Sequence, residues 1–181
     1  MRARDSDPLK LDVEALAKAG ERLEGTWPVA ELGRLAASVV GGTPMGHITW
    51  QAQGELRPVR GGAGEVWLHV RADTSLMLEC QRCLGPVPAD VHAERSFLFV
   101  NGEDTAAALD SEHEDDVLAL TRSLDLRSLI EDELLLALPL VPRHEVCPEP
   151  LPAGTGDAPA EEEKPNPFAV LASLKRGGLP N

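Results

Sequence analysis

Residues 66–80 read VWLHVRADTSLMLEC, and the alternation in this stretch decides the fold. Apolar side chains fall on the even positions from Val66 to Leu78, with polar ones such as Arg71 opposite. This period of two predicts a long strand with one buried face. A second run, residues 87–99, places its apolar side chains on odd positions. Together the two runs predict an antiparallel hairpin whose tip carries a pair of cysteines.

The segments on either side of this hairpin predict helices that pack on a sheet. Apolar residues recur at helical spacing over residues 9–23, and a second short helix is predicted within residues 29–39. Residues 47–56 alternate like a half-buried strand. Residues 126–137 carry an apolar helical stripe, with Asp125 as a plausible N-cap. The chain is therefore predicted to be an α+β protein with an antiparallel sheet or hairpin core and packed helices.

Composition divides the chain into a domain and appended segments. Residues 1–147 are predicted to form a single α+β domain, interrupted at about 101–116 by an acidic loop without periodicity. Residues 148–165 are rich in Pro, Gly and Glu and predict a flexible linker. Residues 166–176 then form a short amphipathic motif that would dock onto this domain or onto a partner.

Charge excludes some classes of partner and favours others. The net charge is −13, and residues 101–163 hold 17 acidic side chains against 3 basic ones. Nucleic-acid affinity depends on clustered Lys and Arg, so broad binding to RNA is not expected. The acidic stretch suits basic partners such as ribosomal proteins, or is simply a solvated loop. The longest apolar run is too short for a membrane span and the N-terminus is unlike a signal peptide, so a cytoplasmic protein without membrane contact is expected.

The pair Cys80 and Cys83 has three interpretations. With His144 and Cys147 it would complete a tetrahedral Cys3His zinc site, because a tight turn directs both thiolates toward one point. A redox pair would need the N-terminus of a helix, whereas both flanks read as strands. The third reading is a set of reduced thiols, with Cys80 packed at the end of the apolar strand face.

No catalytic constellation emerges from the sequence. The five histidines are scattered, and Glu131, Asp132 and Glu133 are consecutive, so that they point in different directions around a helix. They are expected to form a solvated face rather than an acid–base pair. The protein is therefore not expected to be an enzyme.

Three motifs, taken together and in this order, resemble a known family. They are LECQRCLGPV (78–87), DLRSLIEDELLLALPLVPRHEVC (125–147) and KPNPFAVLASLKR (164–176). The combination resembles the bacterial YceD family, the large ribosomal RNA subunit accumulation proteins. The resemblance implies a ribosome biogenesis factor that acts in the synthesis, processing or stability of large-subunit (23S) rRNA, without enzymatic activity and without a fixed cofactor.

The resemblance also implies which residues matter. The family-motif positions are Cys80, Arg82, Cys83, Asp125, Leu126, Glu131, Asp132, Glu133, Pro139, Pro142, His144 and Cys147. The partner-docking positions are Asn166, Pro167, Phe168, Leu171 and Leu174.

Ribosome assembly components are the implied partners: a basic ribosomal protein, an assembly factor or a ribonuclease. Contact with rRNA would be indirect, or local through Arg82 or through Lys175 and Arg176. Two alternatives stay open, a small zinc-dependent RNA-binding module built on the four possible zinc ligands, and an uncharacterised nuclease or hydrolase using the acids around Glu131.

Overall fold

The computed structural model describes residues 7–41 and 46–148, which lie in a unit that spans Met1–Glu149. The strands are β1 (Arg22–Pro28), β2 (His47–Arg57), β3 (Glu65–Glu79), β4 (Pro86–Val100) and β5 (Asp116–Ala119). The helices are α1 (Val13–Ala19), α2 (Gly33–Ala36), α3 (Glu103–Asp110) and α4 (Leu126–Leu136). The predicted linker and the docking motif with Asn166, Pro167, Phe168, Leu171 and Leu174 lie outside the described residues, and the predicted domain limits stay predictions.

The long hairpin is formed by β3 and β4 as predicted. Its register pairs Val66 with Phe99 at one end and Leu78 with Val87 at the other, without a bulge. The even-numbered apolar residues of β3 face the core together with their odd-numbered partners on β4. The hairpin is the centre of an α+β fold, which confirms the predicted fold class.

The sheet order is β1-β2-β3-β4-β5, and β5 is its exception. The first four strands are antiparallel, but β5 runs parallel to β4 over Phe97–Val100. The predicted antiparallel sheet is confirmed for β1 to β4, and the parallel strand β5, for which no direction was predicted, makes the whole sheet mixed. A parallel neighbour requires a crossover connection of about a dozen residues, which the segment between β4 and β5 supplies.

That crossover is the segment predicted to be an acidic loop at about 101–116, and the prediction was wrong for its first half. Helix α3 occupies Glu103–Asp110 and buries Ala106 against Trp67, Leu98 and Val117. Acidic residues in its first turn are favourable, because carboxylates lie near the positive end of the helix dipole. The acidic composition of this segment therefore gave no indication of the helix, which buries only one small side chain.

The N-terminal helix is shorter than the predicted 9–23. Helix α1 ends at Ala19, where Gly20 adopts a left-handed conformation with φ of 61° and donates its N–H to Ala17. Glycine adopts this conformation without a steric penalty. Leu23 instead belongs to the edge strand β1. This strand was not predicted, because the apolar residues up to Leu23 follow helical spacing.

Helix α4 closes the core as its apolar stripe predicted. Leu126, Ile130 and Leu134 are fully buried, and the Asp125 carboxylate accepts the Ser128 N–H at 3.0 Å. None of the described helices is long and apolar enough to span a membrane. The segment that follows α4 returns to the tip of the hairpin, where it meets the two cysteines.

Candidate metal centre

The hairpin tip is a tight turn that brings Cys80 and Cys83 to the same side. The Cys80 N–H donates to the Gly85 carbonyl at 2.9 Å, and the Leu84 N–H donates to the Cys80 carbonyl at 2.8 Å. Leu84 has a φ of 60°, a left-handed conformation that is unusual for a residue with a side chain. The turn is therefore closed by its own backbone, which holds the two sulfur atoms on one side of it.

The chain after α4 is anchored to this turn by its backbone. The Gln81 N–H donates to the Pro142 carbonyl at 2.9 Å, so that the following residues pass over the tip. The ligand atoms of Cys80, Cys83, His144 and Cys147 consequently all lie within 4.8 Å of one another. The structure thus brings together the four residues that sequence spacing proposed, and this Cys3His group can hold a metal ion.

The distances within the group fit a tetrahedral thiolate and imidazole site. Two sulfur ligands at 2.3 Å from a tetrahedral zinc ion are about 3.8 Å apart, and a sulfur and a nitrogen ligand about 3.5 Å. The Sγ atoms of Cys80 and Cys147 are 3.9 Å apart, and Cys83 Sγ lies 3.4 Å from His144 Nδ1. A disulfide would need about 2.05 Å between sulfurs. The spacing therefore suits ligands around a shared ion.

The imidazole of His144 has its second nitrogen engaged in the way that metal-binding histidines require. Its Nε2 lies 3.0 Å from the Pro86 carbonyl oxygen, which is an acceptor, so Nε2 carries the proton and donates. Nδ1 is turned toward the sulfur cluster, and in the neutral ring it is the nitrogen left free to bind a metal ion. Metal-ligating histidines commonly donate their other N–H to a carbonyl or carboxylate in this manner.

The pKa values of the Cys80 and Cys83 thiols also favour metal binding. Burial alone would raise the pKa of the Cys80 thiol, but N–H groups of Arg82, His144 and Cys83 directed at its sulfur lower that pKa to about 5. For Cys83, the Gly85 N–H acts to lower the pKa, but burial and the neighbouring thiols of Cys147 and Cys80 outweigh it and raise the pKa. Without an ion, the sulfurs therefore resist being ionised together, and a divalent cation would remove that conflict.

Arg82 lies against the cluster. Its Nε donates to Cys147 Sγ at 3.1 Å and its terminal nitrogen reaches the Glu145 carbonyl at 3.4 Å. Hydrogen bonding to Cys147 raises the pKa of the guanidinium. A zinc ion with three thiolates would carry a net charge of −1, which Arg82 would neutralise. The predicted local contact of Arg82 with RNA stays a prediction, but its side chain is already committed to the sulfur cluster.

Comparison with known proteins shows the family of this chain. The family model described as large ribosomal RNA subunit accumulation protein YceD matches residues 68–175. A relative with the same name, from Haemophilus influenzae (strain ATCC 51907 / DSM 11121 / KW20 / Rd), is 34% identical over 174 residues, which cover 93% of this chain and 97% of the relative. The chain belongs to the YceD family. No solved structure matches it significantly.

The YceD-motif acid Glu131 is buried, not solvated as the sequence analysis expected. One carboxylate oxygen accepts the backbone N–H groups of Arg34 and Leu35 at 2.7 and 3.1 Å. The other accepts two N–H groups of the Arg34 guanidinium at 3.1 and 2.9 Å. Glu131 therefore caps the short helix α2 from a distance in sequence and ties it to α4.

The other two acids of the motif differ from each other. Glu133 is also buried, and its carboxylate accepts from Arg95 Nε at 3.2 Å, whereas the half-exposed Asp132 pairs with Arg34. Arg34 and Arg95 were not found by sequence reasoning. They lie 97 and 38 residues from their partners, and neither belongs to a local motif. The expected solvated face thus holds for Asp132 alone.

The two buried acids predict opposite responses to pH. Burial would raise the pKa of Glu131, but N–H donors from Leu35 and Arg34 hold it below its ordinary value, so ionised Glu131 stabilises the fold above about pH 4. Burial raises the pKa of Glu133, because Arg95 offsets it only in part, so ionised Glu133 destabilises the fold at neutral pH. Glu131→Gln is therefore expected to lower the unfolding free energy at pH 7 and Glu133→Gln to raise it. Urea unfolding at pH 7 and pH 3.5 checks both signs, and both differences from wild type should shrink at the lower pH. Two changes of equal sign at pH 7 would contradict this assignment.

The remaining YceD-motif positions lie at the start of α4 and in the segment that follows it. Asp125 caps α4 and Leu126 is buried beneath it, as described above. Pro139 and Pro142 lie in the segment that leads from α4 to His144, and both line a cavity of about 290 Å³ beside β4.

Proposed function

We propose that this protein supports the accumulation of large-subunit ribosomal RNA as a non-enzymatic adaptor, and that a zinc ion at the Cys3His group fixes its hairpin tip. This is the function that the names of its family and of the Haemophilus influenzae relative state. The observation that carries the adaptor role is the convergence of Cys80, Cys83, His144 and Cys147 within 4.8 Å. It resembles a closed structural zinc site, since all four positions would be taken by protein and none left for substrate.

The buried acids support a role without catalysis. Hydrogen bonds and an ion pair to Arg34 engage Glu131 and join α2 to α4, and Glu133 is buried against Arg95 of β4. A nuclease using these acids would need them accessible to a metal ion or to the substrate. Their burial favours a structural role over the alternative of an uncharacterised hydrolase.

The charge distribution supports a protein partner over broad contact with RNA. The guanidinium of Arg82 at the tip is occupied by Cys147. Phosphate binding would need several free cations close together. We therefore propose action through a basic ribosomal protein, an assembly factor or a ribonuclease, in the cytoplasm where ribosomes assemble.

The proposal predicts a defect in large-subunit rRNA when the gene is deleted. We expect a lowered ratio of large- to small-subunit rRNA and fewer large subunits in a sucrose gradient. Wild-type protein should restore both, whereas Cys80→Ser/Cys83→Ser should not, because the tip would lose its ion. Immunoblotting must show that the double variant accumulates.

Two further observations in the same cells separate the alternatives. A normal rRNA ratio in the deletion strain would reject the proposed function. Full restoration by the double variant would reject the role of the ion. Direct crosslinking of the hairpin tip to rRNA in place of a protein would favour the zinc-dependent RNA-binding module.

A further inference from the structure

Strand β4 has an open edge that no described strand covers. It spans Pro86–Val100, but β5 pairs only with Phe97–Val100. Over Pro86–Ser96 the described residues supply a strand on the β3 side alone. Such an edge presents unpaired backbone groups, which can accept an added strand.

Three hydrogen bonds establish which backbone groups point outward. The Cys80 N–H donates to the Gly85 carbonyl, so the odd-numbered residues of β4 direct their backbone groups toward β3. The Val100 carbonyl accepts from Leu120, and the Pro86 carbonyl accepts from His144, so the even-numbered residues point the other way. The outward N–H and C=O groups are therefore those of Asp90, His92 and Glu94.

The same parity explains the two prolines at the start of β4. Pro86 and Pro88 occupy outward positions and have no N–H, so this end of the edge cannot donate to an added strand. An incoming strand could pair fully only over the stretch that follows, from Asp90 to Glu94.

A groove runs beside this stretch. Two cavities lie beside β4. One, of about 290 Å³, is bounded by the segment after α4, and the other, of about 230 Å³, by the C-terminal end of α4. The far wall bears apolar side chains that face solvent, since Leu136 is 74% exposed and Val141 59% exposed. The groove thus places an apolar wall opposite an open row of backbone groups.

The two sides of the edge differ in chemistry. The outward-facing strand residues Asp90 and Glu94 place carboxylates on the polar face of the sheet. On the core side, Arg95 is paired with Glu133, and Arg143 lies on the groove wall without an ion pair among the described residues. Side chains of an added strand alternate between the two faces. Basic side chains would therefore meet Asp90 and Glu94, while aliphatic ones would meet Leu136 and Val141.

We propose that the open edge of β4 between Asp90 and Glu94 binds an extended basic peptide by β-strand addition. The peptide alternates Lys or Arg with aliphatic residues. This inference deepens the proposed adaptor role, because it names the surface and the chemistry of the protein partner. Backbone hydrogen bonds supply affinity in this mode, and the alternate side chains supply specificity.

The test uses two substitutions at one position. Glu94→Pro and Glu94→Thr both remove the charge, but only proline removes the outward N–H and blocks the edge. The probe is the labelled peptide acetyl-KVKVKTKV-amide, with its glutamate counterpart acetyl-EVEVETEV-amide as control, and binding to the full chain is followed by fluorescence anisotropy. We expect Glu94→Pro to weaken binding of the lysine peptide about tenfold relative to Glu94→Thr. The peptide should also slow hydrogen exchange at the amides of Asp90, His92 and Glu94.

Several results would overturn the proposal. These are equal binding by the two variants, no slowing of exchange at the three amides, equal binding of the two peptides, or a wild-type dimer that Glu94→Pro dissociates. If Glu94→Pro melts well below Glu94→Thr, the charge reversal Glu94→Lys replaces it, and it should weaken binding about tenfold relative to Glu94→Thr. Because these readings are made on purified protein, they are independent of the rRNA ratio. A normal ratio in the deletion strain would reject the proposed function and leave the edge assignment standing.

Discussion

Replacing His144 by alanine is expected to reduce bound zinc from one equivalent to less than about a tenth, because a tetrahedral structural site needs all four ligands. The same change should destabilise the fold. A ligand that binds only the folded state, at a free concentration about a thousandfold above its Kd, adds about 4 kcal/mol to the unfolding free energy. For a domain of this size the loss corresponds to a decrease in Tm of about 10 °C. The effect is large because the ion would connect the β3–β4 tip to the chain after α4, two segments 61 residues apart at Cys83 and His144.

Metal content by mass spectrometry and thermal melting with and without a chelator measure both effects. His113→Ala is the matched control, since His113 is an exposed histidine of the acidic segment outside the group. Wild type and the control should lose about 10 °C on chelation, and His144→Ala should lose nothing further. Full zinc content in His144→Ala, or a wild-type Tm that is the same with and without the chelator, would reject the assignment of these ligands.

The parts of the fold that the sequence predicted are those with strict periodicity. Alternation over β3 and β4 indicates which side chains face the core, so both strands and their antiparallel hairpin were predicted. The stripe of α4 and its Asp125 cap are equally local signals. The metal ligands were grouped for a different reason, because a turn with two cysteines restricts where their sulfurs can point.

Other features depend on contacts that no local pattern contains. Helix α3 is held by the packing of Ala106 on Trp67, a residue distant in sequence. The charged residues around Ala106 gave no indication of this contact. The role of Glu131 depends on Arg34, which is brought to it only by the folded core. Strand β1 begins after Gly20 ends α1, so one glycine conformation separates a helical stripe from an alternating one. Such features require the tertiary structure.

Gly54→Ala is expected to be the most destabilising small substitution in the sheet, lowering the unfolding free energy by about 3 kcal/mol. Gly54 lies on the core face of β2, directly beneath α1. A Cβ at this position would lie 2.6 Å from the Leu16 carbonyl carbon and 2.7 Å from the Ala17 nitrogen. Both are backbone atoms, so no side-chain rotation can relieve the overlap. The helix would have to move away from the sheet, loosening the buried Val13 and Leu16.

Gly33→Ala provides the matched control for this change. Gly33 begins α2, and a Cβ there meets nothing within 4 Å. Alanine favours helix over glycine by about 1 kcal/mol, so this variant should unfold at the same or slightly higher urea concentration than wild type. Urea unfolding of both variants with a shared m-value isolates the steric contribution. A Gly54→Ala midpoint equal to that of Gly33→Ala would mean that α1 does not rest on the β2 backbone. Because that contact fixes α1 against the sheet, the packing of the N-terminal helix would then have to be redrawn.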